Sequence, residues 1–321
     1  MSGEEYVTIV IDVVIPTRNR GALIADTLKS LRASTYPRFR VLVVDQSEGR
    51  ETAEVVERFA AEDDRFSYIP SATRGSDTAR NIGIRAGSAP IVAFTDDDCR
   101  VAEDWLAALW AEYECDPETW GVFGRVLPRW DEVASGQSDW LQQALPMAFK
   151  DDSERRIFQG NRFNLGFGHG ANMSFRRTTF ERVGMFDELL GAGGPLRSWP
   201  ERDLGYRVLA AGGRIVYTPD ALVIHYHWRD WPKVKATYRD YGIGAGAAAG
   251  KYLRCGDMGG WYLLFEWLLD QGLRQAASGV LKWRSWRKVQ TGLLQLVYPW
   301  VGMVQGWRYP VDRERMLYRR E

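Results

Sequence analysis

The stretch "PIVAFTDDDC" (90–99) runs from a short apolar segment into three consecutive aspartates. The apolar residues predict a buried β-strand. Three ionised carboxylates in a row repel one another, so the end of this strand requires either a bound cation or a solvated turn. Asp96 and Asp98 are spaced as D-x-D, and two such carboxylates can hold one Mg²⁺ or Mn²⁺ ion.

Strands and helices alternate on the N-terminal side of this stretch. We predict strands at residues 7–16, 40–45, 66–70 and 90–98, and helices at residues 20–35, 51–63 and 76–87. This alternation indicates a mostly parallel sheet with helices on both faces. Ligands of such sheets lie beyond the carboxyl ends of the strands. Asp45 ends the second strand as Asp96–Asp98 end the fourth, so we expect all of them at one rim.

The pattern changes in the second third of the chain. Residues 130–165 indicate an insertion of mixed character, and residues 166–188 a glycine-rich loop, a strand and a short helix. Residues 201–213 predict an amphipathic helix, and residues 214–228 two short strands around a Pro-Asp turn. From about residue 231 the chain is predicted to be helical, and it is rich in Trp, Gly and Ala.

Composition narrows the class of protein. Lys+Arg and Asp+Glu are both 42, so no net field favours nucleic acid as a partner. The odd count of scattered cysteines (Cys99, Cys115 and Cys255) indicates a reducing compartment without disulfides. Residues 1–10 lack the pattern of a signal peptide. No run of about 18 apolar residues predicts a membrane-spanning helix, and we expect a cytoplasmic protein.

Six motifs occur in order between residues 8 and 228. They are "VVIPTRNR" (13–20), "VVD" (43–45), "RGSDTARNIGIRAG" (74–87), "FTDDD" (94–98), "GANMSFRRTTFERVGMFDE" (170–188) and "ERDLGYRVLAAG" (201–212). Together they resemble the inverting family-2 glycosyltransferases. The resemblance implies a GT-A fold, an α/β architecture with a Rossmann-like, mostly parallel sheet flanked by helices.

The same resemblance divides the chain. It implies a catalytic domain at residues 1–230, with a nucleotide-binding half at about 1–120 and an acceptor-side half at about 121–230. A Trp-rich helical C-terminal region follows at residues 231–321.

The resemblance also implies a donor site. Nucleotide-sugar contacts are implied for Pro16, Thr17, Arg18, Asp45, Arg80, Asp96 and Asp97. Asp45 would accept a hydrogen bond from the base, as the imide N–H of uracil could provide, which favours a UDP-type donor. The segment "DQSEGR" (45–50) departs mildly from the family pattern and leaves the base open. The alternative for Asp45 is an acid that holds its own turn or caps a helix.

Metal ligands are implied at Asp96, Asp98 and His225, with Mn²⁺ or Mg²⁺ as the ion. His225 and His227 lie two residues apart and therefore on one face of a strand. His225 fits the family position better, and the alternative for either ring is packing between aromatic residues.

The catalytic base is implied at Glu201. In "GGPLRSWPERDLGYRVL" (193–209), Pro200-Glu201 stands where the family usually has Glu-Asp, so the base has a side chain one methylene longer. Acceptor-side roles are implied for His169, Trp199 and Asp203. Each has a structural alternative: a loop residue, a core aromatic and a helix-start charge, respectively.

Two further segments attract functional interpretations. "GIGAGAAAGK" (242–251) resembles a phosphate-binding loop but lacks the P-loop spacing, so its small residues predict close helix packing. Residues 259–310 are apolar with embedded Trp and Tyr and with basic neighbours. This composition is typical of helices at a membrane interface, while a packed helical domain and a dimer interface are the alternatives.

These observations define one main hypothesis and two rivals. The chain is expected to transfer a sugar from a nucleotide-diphosphate sugar to a hydroxyl of a glycan or lipid-linked acceptor, with a metal and with inversion. A sugar-phosphate nucleotidyltransferase would need a basic triphosphate loop, and "TRNRG" (17–21) is only a faint version. A non-catalytic glycan-binding scaffold is the second rival. We expect a location in the cytoplasm or at the cytoplasmic face of a membrane, and homo-oligomerisation stays open.

Overall fold

The computed structural model describes residues 9–129, 149–226 and 230–320. In these ranges a nine-stranded sheet carries helices on both sides, and a C-terminal group of helices packs beside it. In spatial order the strands are β3 (Phe66–Pro70), β2 (Phe39–Asp45), β1 (Ile11–Thr17), β4 (Ile91–Phe94), β8 (Met173–Arg176), β6 (Thr119–Arg129), β9 (Arg214–Tyr226) and β5 (Cys99–Val101), and β7 (Arg156–Phe158) also pairs with β9.

The predicted alternation of strands and helices is confirmed. The first elements are β1 (Ile11–Thr17), α1 (Gly21–Arg32), β2 (Phe39–Asp45), α2 (Glu51–Glu62), β3 (Phe66–Pro70), α3 (Ser76–Ala86) and β4 (Ile91–Phe94). Strands β1 to β4 pair in parallel. Strand β4 ends at Phe94, so the three aspartates lie in the loop after it, beside the carboxyl end of β1.

The second half of the sheet is mixed. Its elements are β5 (Cys99–Val101), α4 (Trp105–Cys115), β6 (Thr119–Arg129), β7 (Arg156–Phe158), β8 (Met173–Arg176), α5 (Arg177–Val183), α6 (Pro200–Ala210) and β9 (Arg214–Tyr226). Strand β8 is antiparallel to β4 and β6, whereas β6 and β9 are parallel. The predicted insertion falls largely on residues 130–148, which lie outside the described residues.

The prediction of two strands in residues 214–228 was wrong, because β9 is one strand. Thr218 pairs with Gly124 and Leu222 with Arg125, so the register shifts between them. The Pro219-Asp220 pair lies in this irregularity, where a proline costs no ladder hydrogen bond. The strand therefore continues past the turn signal and carries His225 to the rim.

The C-terminal region is helical, as predicted. It consists of α7 (Trp231–Arg254), α8 (Gly259–Trp267), a π-helical segment (Leu268–Arg274), α9 (Gln275–Leu281), α10 (Trp286–Gly306) and the short strands β10 (Val311–Asp312) and β11 (Leu317–Tyr318). None of the helices in the described ranges combines the length and the apolar character needed to cross a bilayer.

Helices α7 and α10 pack backbone to backbone. A Cβ atom at Gly246 would overlap the carbonyl of Pro299, and a Cβ at Gly302 would overlap the carbonyl of Ile243. These glycines have no side chain, and the two helices touch through their backbones. The close packing predicted for residues 242–251 is confirmed.

A buried ionic cluster ties the C-terminal region to the sheet. Lys251 Nζ lies 2.7 Å from Asp187 Oδ2 and 2.6 Å from Asp203 Oδ1, and all three side chains are fully buried. The Tyr252 hydroxyl donates to Asp203 at 2.9 Å, and the Tyr318 backbone N–H donates to Asp187 at 2.9 Å. The C-terminal helices thus contribute to the interior of the molecule as well as to its surface.

Candidate active site

A cleft of about 510 Å³ opens at the carboxyl ends of β1 and β4, and we call it the central cleft. Of the predicted site residues, it is lined by Pro16, Thr17, Arg18, Arg80, Asp96, Asp97, Asp98, His169, Glu201 and His225. The cleft lies where a parallel sheet is expected to bind ligands. Asp45, Trp199 and Asp203 do not line it.

The three aspartates have different partners. Asp97 is turned towards the protein: the Thr17 hydroxyl donates to its Oδ2 at 2.7 Å, and Arg20 donates to its Oδ1 at 2.7 Å. Arg20 also reaches Asp98 Oδ2 at 3.0 Å. Burial raises the pKa of the Asp97 carboxyl to about 7, although Arg20 opposes this shift. Arg20 was not predicted, because nothing in "TRNRG" (17–21) distinguishes it from its neighbours.

Asp96 is turned the other way and is 30% exposed. Arg80 donates to Asp96 Oδ1 at 3.0 Å and to Asp77 Oδ1 at 2.9 Å, and the Arg80 side chain is itself only 5% exposed. Burial raises the pKa of Asp77 to about 7 despite the nearby guanidinium. Arg80 is therefore a fixed cation in the wall of the cleft, held by an acid on each side.

Asp98 and His225 form the candidate metal centre. His225 Nε2 lies 3.4 Å from Asp98 Oδ1, and both side chains are buried. Strand pairing places Cys99 opposite His225, and one ligand atom from each of Asp98, Cys99 and His225 lies within 4.8 Å of the others. Burial raises the pKa of the Cys99 thiol. The carboxylate and imidazole fit Mn²⁺ or Mg²⁺ chemically.

Two predictions for the metal centre remain predictions. Asp96 lies outside this group of three ligand atoms and is paired with Arg80. His227 lies outside the described residues. Cys99 was not predicted, since its approach to His225 depends on the antiparallel pairing of β5 with β9.

Glu201 stands in the first turn of α6, directly after Pro200. It lines the cleft, and none of the described residues donates a hydrogen bond to its carboxylate. A Cβ atom built on Gly170 would lie 3.7 Å from Glu201 Oε2 and 3.4 Å from Arg80 Nη2, so the glycine borders both groups. This is a carboxylate that faces open space next to a fixed cation.

Asp45 lies at the same rim as Thr17, its partner in the β1–β2 register. Its carboxylate accepts hydrogen bonds from the Ser47 backbone N–H at 2.9 Å, from the Tyr68 hydroxyl at 3.0 Å and from the Ser47 hydroxyl. Burial and the bond to Asp45 raise the pKa of Tyr68 to about 12. These contacts match the alternative of a turn acid, and the contact with a base stays a prediction.

The three residues predicted for the acceptor side lie in different surroundings. His169 lines the central cleft and donates from Nε2 to the Phe149 carbonyl at 3.1 Å. Burial and the Arg202 charge lower its pKa to about 4, so it is neutral near pH 7. Asp203 has no exposed surface and pairs with Lys251 and Arg207. Its burial leaves it no surface for an acceptor, which corrects the acceptor-side role implied for it.

Trp199 lines a different cavity, the second cleft. This cavity of about 410 Å³ lies among Asn164, Trp199, Arg202, Tyr262, Trp267 and Gln271. Helix α7 adds further residues to the central cleft that no motif had indicated, namely Thr237, Asp240 and Tyr241.

The C-terminal helices expose two apolar stripes, which we call the apolar helical face. Its residues are Trp261, Tyr262, Phe265, Leu269 and Leu273 on the first helical run, Leu293, Val297, Trp300 and Val304 on α10, and Trp307 directly after α10, each at least 38% exposed. Between the stripes lie four basic residues, Lys282, Arg284, Arg287 and Lys288. An exposed apolar area of this extent marks a surface that contacts another molecule or a membrane.

Comparison with known proteins adds independent evidence. The family model described as "Glycosyl transferase family 2" matches residues 12–184, more than half of the chain. The chain is 26% identical over 228 residues to the glucosyl-dolichyl phosphate glucuronosyltransferase of Haloferax volcanii, covering 68% of this chain and 70% of that protein. It is 29% identical over 231 residues to the pre-mycofactocin glycosyltransferase of Mycobacterium tuberculosis, covering 71% of this chain but only 46% of that protein.

A solved structure has the same architecture. The mannosyltransferase PcManGT from Pyrobaculum calidifontis, in complex with GDP-Man and Mn²⁺, superimposes with a TM-score of 0.61 at 18% identity, over 92% of this chain and 87% of that chain. At this identity the likeness concerns the fold, and it confirms the predicted GT-A architecture.

Proposed function

Since the chain belongs to glycosyl transferase family 2, we propose that its reaction is a metal-dependent, inverting sugar transfer. Family membership confirms the resemblance of the six motifs and makes the chain a glycosyltransferase. The donor in this proposal is a nucleotide-diphosphate sugar, and the acceptor is a hydroxyl of a glycan or lipid-linked molecule. One observation carries the proposal: a metal-type ligand pair, a fixed cation and a carboxylate that accepts no hydrogen bond from the described residues line one cleft.

The donor in this proposal occupies the central cleft. Pro16, Thr17 and Arg18 contact the nucleotide, and Arg80 faces its phosphates. Arg80 is suited to this because two acids already fix its guanidinium, and a preorganised cation stabilises phosphate charge without further rearrangement. A UDP-type donor remains our proposal from Asp45, although the structural neighbour was solved with GDP-Man.

Asp98 and His225 would hold Mn²⁺ or Mg²⁺, with Asp96 beside them. When bound, the ion supplies positive charge that stabilises the departing nucleotide diphosphate. The chain's own contribution is to keep these ligands in place: Arg20 fixes the Asp98 carboxylate at 3.0 Å, and strand pairing fixes His225.

Glu201 is the proposed general base. Its carboxylate would accept the proton of the acceptor hydroxyl, and that oxygen would attack the anomeric carbon opposite the leaving group. Only one carboxylate is then needed near the reacting carbon, unlike in a retaining glycosidase, which uses two. Arg80 borders the same glycine as Glu201, so a fixed positive charge lies beside the proposed base.

The apolar helical face is proposed to contact a membrane surface at the cytoplasmic side. Its Trp-rich stripes and the intervening basic residues fit apolar burial combined with attraction to anionic lipids. This location would bring the central cleft to a lipid-linked acceptor.

The function is tested by incubating the protein with UDP-, GDP- and dTDP-sugars, with Mn²⁺, with Mg²⁺ and with EDTA. We expect at least one donor to release its nucleoside diphosphate only when metal is present. Release of pyrophosphate from a nucleoside triphosphate and a sugar phosphate would instead identify a nucleotidyltransferase. Binding of glycans without turnover of any donor would identify a scaffold.

A further inference from the structure

The second cleft and the central cleft meet at the start of helix α6. Pro200 and Glu201 line the central cleft, whereas their neighbours Trp199 and Arg202 line the second cleft. The second cleft therefore begins on the same turn of chain that carries the proposed base. The two clefts are therefore lined by adjacent residues of one turn of chain.

Aromatic rings form much of its wall. Trp199 and Trp267 meet edge to face, with ring centres 4.8 Å apart, and Phe163 and Tyr262 have centres 4.5 Å apart. The Arg202 guanidinium lies 5.0 Å from the Trp199 ring and 5.3 Å from the Trp267 ring. Trp199 and Trp267 are nearly buried, at 5% and 9% exposed, whereas Tyr262 is 53% exposed and offers a flat apolar surface on which the C–H face of a sugar ring can pack.

Polar groups complete the lining. Asn164 and Gln271 offer amides, and Glu266 and Asp270 offer carboxylates. A few polar groups among aromatic walls are the usual composition of a small-molecule site. Amides and carboxylates can bond to hydroxyl groups. Glu266 and Asp270 stand against Arg202 in the lining and Arg274, which pairs with Asp270 at 2.6 Å, so no excess of positive charge attracts an anionic ligand. This chemistry fits a neutral saccharide.

Two backbone irregularities place these side chains. Asp270 and Gln271 belong to the π-helical segment Leu268–Arg274, and π-helical turns occur frequently at functional sites. Trp199 has a φ of 89°, in the left-handed region that non-glycine residues seldom occupy. Such conformations cost about 1–3 kcal/mol and cluster at ligand sites. Both distortions shape the same cavity.

We propose that the second cleft binds a neutral saccharide unit of the acceptor, beyond the sugar that reacts. That this saccharide belongs to the acceptor rests on the proposed transferase function, whereas the binding of a saccharide by the second cleft does not. Most of the lining lies after residue 184, outside the segment that the family model matches. The site thus lies between the sheet domain and this chain's C-terminal helices. Tyr262 also belongs to the apolar helical face, so a lipid carrying the saccharide would lie next to the cleft.

The probe is a panel of neutral hexose and N-acetylhexosamine trisaccharides, measured by saturation-transfer NMR and titration without any nucleotide. We expect at least one trisaccharide to bind the wild type. Tyr262→Ala should weaken its affinity by about tenfold through loss of one ring face. Phe265→Ala is the matched control, because Phe265 is an equally exposed aromatic on the same helix that does not line the cleft. Asn164→Ala, on an exposed loop, provides a second test that does not disturb the helices.

The outcomes separate this proposal from the transferase proposal. Trisaccharide binding that depends on Tyr262 supports the site even if no donor is turned over. If donors are hydrolysed but no neutral trisaccharide binds, the saccharide site is wrong. Equal affinities of wild type, Tyr262→Ala and Asn164→Ala would also overturn it. Donor hydrolysis without acceptor should be the same in all these variants.

Discussion

At the residue scale, each aspartate of the D-x-D segment has different partners. Asp97 bonds to Thr17 and Arg20, Asp96 to Arg80, and Asp98 lies against His225. Electrostatic repulsion between adjacent carboxylates is thereby relieved, because each has a cation or donor of its own. The three consecutive acids are thus neither a purely solvated turn nor held by a cation alone, because side chains of the protein supply most of their partners.

Asp98→Ala should remove the metal-dependent part of nucleotide binding. Mutation of groups that merely support metal ligands costs about 10–100-fold in metal affinity, so loss of a direct ligand should cost at least that much. Calorimetric titration of UDP and GDP in Mn²⁺ measures the effect, and the same titrations in EDTA are the control. Equal affinities of variant and wild type in Mn²⁺ would mean that Asp98 holds no ion.

Glu201→Gln should abolish proton acceptance while keeping the size of the side chain. We expect sugar transfer to fall by about 10²–10⁴-fold, the contribution of general base catalysis, with nucleotide and metal binding unchanged. Glu201→Asp should keep part of the activity, because a base remains but its reach is shorter. A folded Glu201→Gln enzyme with full transfer activity would show that the base lies elsewhere.

Asp77 should make stability depend on pH. Its folded pKa of about 7 lies above the unfolded value, so the folded state binds the extra proton and stability falls as pH rises from about 4 to about 7. At about 1.4 kcal/mol for each pKa unit, the fall is about 2–4 kcal/mol. Urea unfolding across this range measures it, and Asp77→Asn should show a correspondingly smaller fall. Parallel curves for the two proteins would refute the assignment.

How much of the candidate site was predictable differs from residue to residue. Asp98 and Glu201 were proposed because each belongs to a motif and His225 because it fits a family position, and all three line the cleft. Arg20 was missed because its partner Asp97 is 77 positions away, a contact that only the folded sheet creates. Asp203 was placed on the acceptor side because its motif is continuous with Glu201, but helical geometry turns it into the core.

At the element scale, hydrophobic periodicity predicted the strands and helices of the N-terminal half. It failed in β9, where a Pro-Asp pair looked like a turn but lies in a register shift. It also gave no sign of the π-helical segment, since an extra residue in a helical turn leaves no compositional mark. Local patterns therefore specify regular elements, and tertiary packing decides their irregularities.

The contact between α7 and α10 is sensitive to single methyl groups. Gly246→Ala should destabilise the protein by about 1–3 kcal/mol, the usual cost of overpacking, because its Cβ would meet the Pro299 backbone. Gly250→Ala is the control, since its Cβ would meet the flexible Met303 side chain. Alanine also has a higher helix propensity than the glycine it replaces. Thermal unfolding compares the two, and equal melting temperatures would contradict the close backbone contact.

At the scale of the whole molecule, the order of six motifs predicted the fold, but the role of the tail stayed open. Three alternative occupants would cover the apolar helical face: a membrane, a partner domain or a second copy of the chain. Only the first requires lipid, which gives a direct test.

The protein should sediment with anionic vesicles at low salt. Added salt should weaken this binding in part, since charges are screened beyond about 8–10 Å, and a remainder driven by apolar burial should persist. Val304→Asp on the apolar helical face should reduce that remainder. Ile157→Asp, at an exposed apolar residue on β7, should not. A wild-type protein that ignores vesicles and forms dimers would favour the interface between copies.

The buried cluster of Lys251 with Asp187 and Asp203 has a consequence for how the chain is made. Both acids are synthesised well before the ammonium group that neutralises them, and Asp187 receives a further bond from Tyr318, 131 positions later. An acid left without its buried partner costs about 3–5 kcal/mol. Until Lys251 has been synthesised, the buried carboxylates of Asp187 and Asp203 lack its ammonium group. Residues of the C-terminal helices therefore complete the interior of a part of the molecule that is synthesised before them.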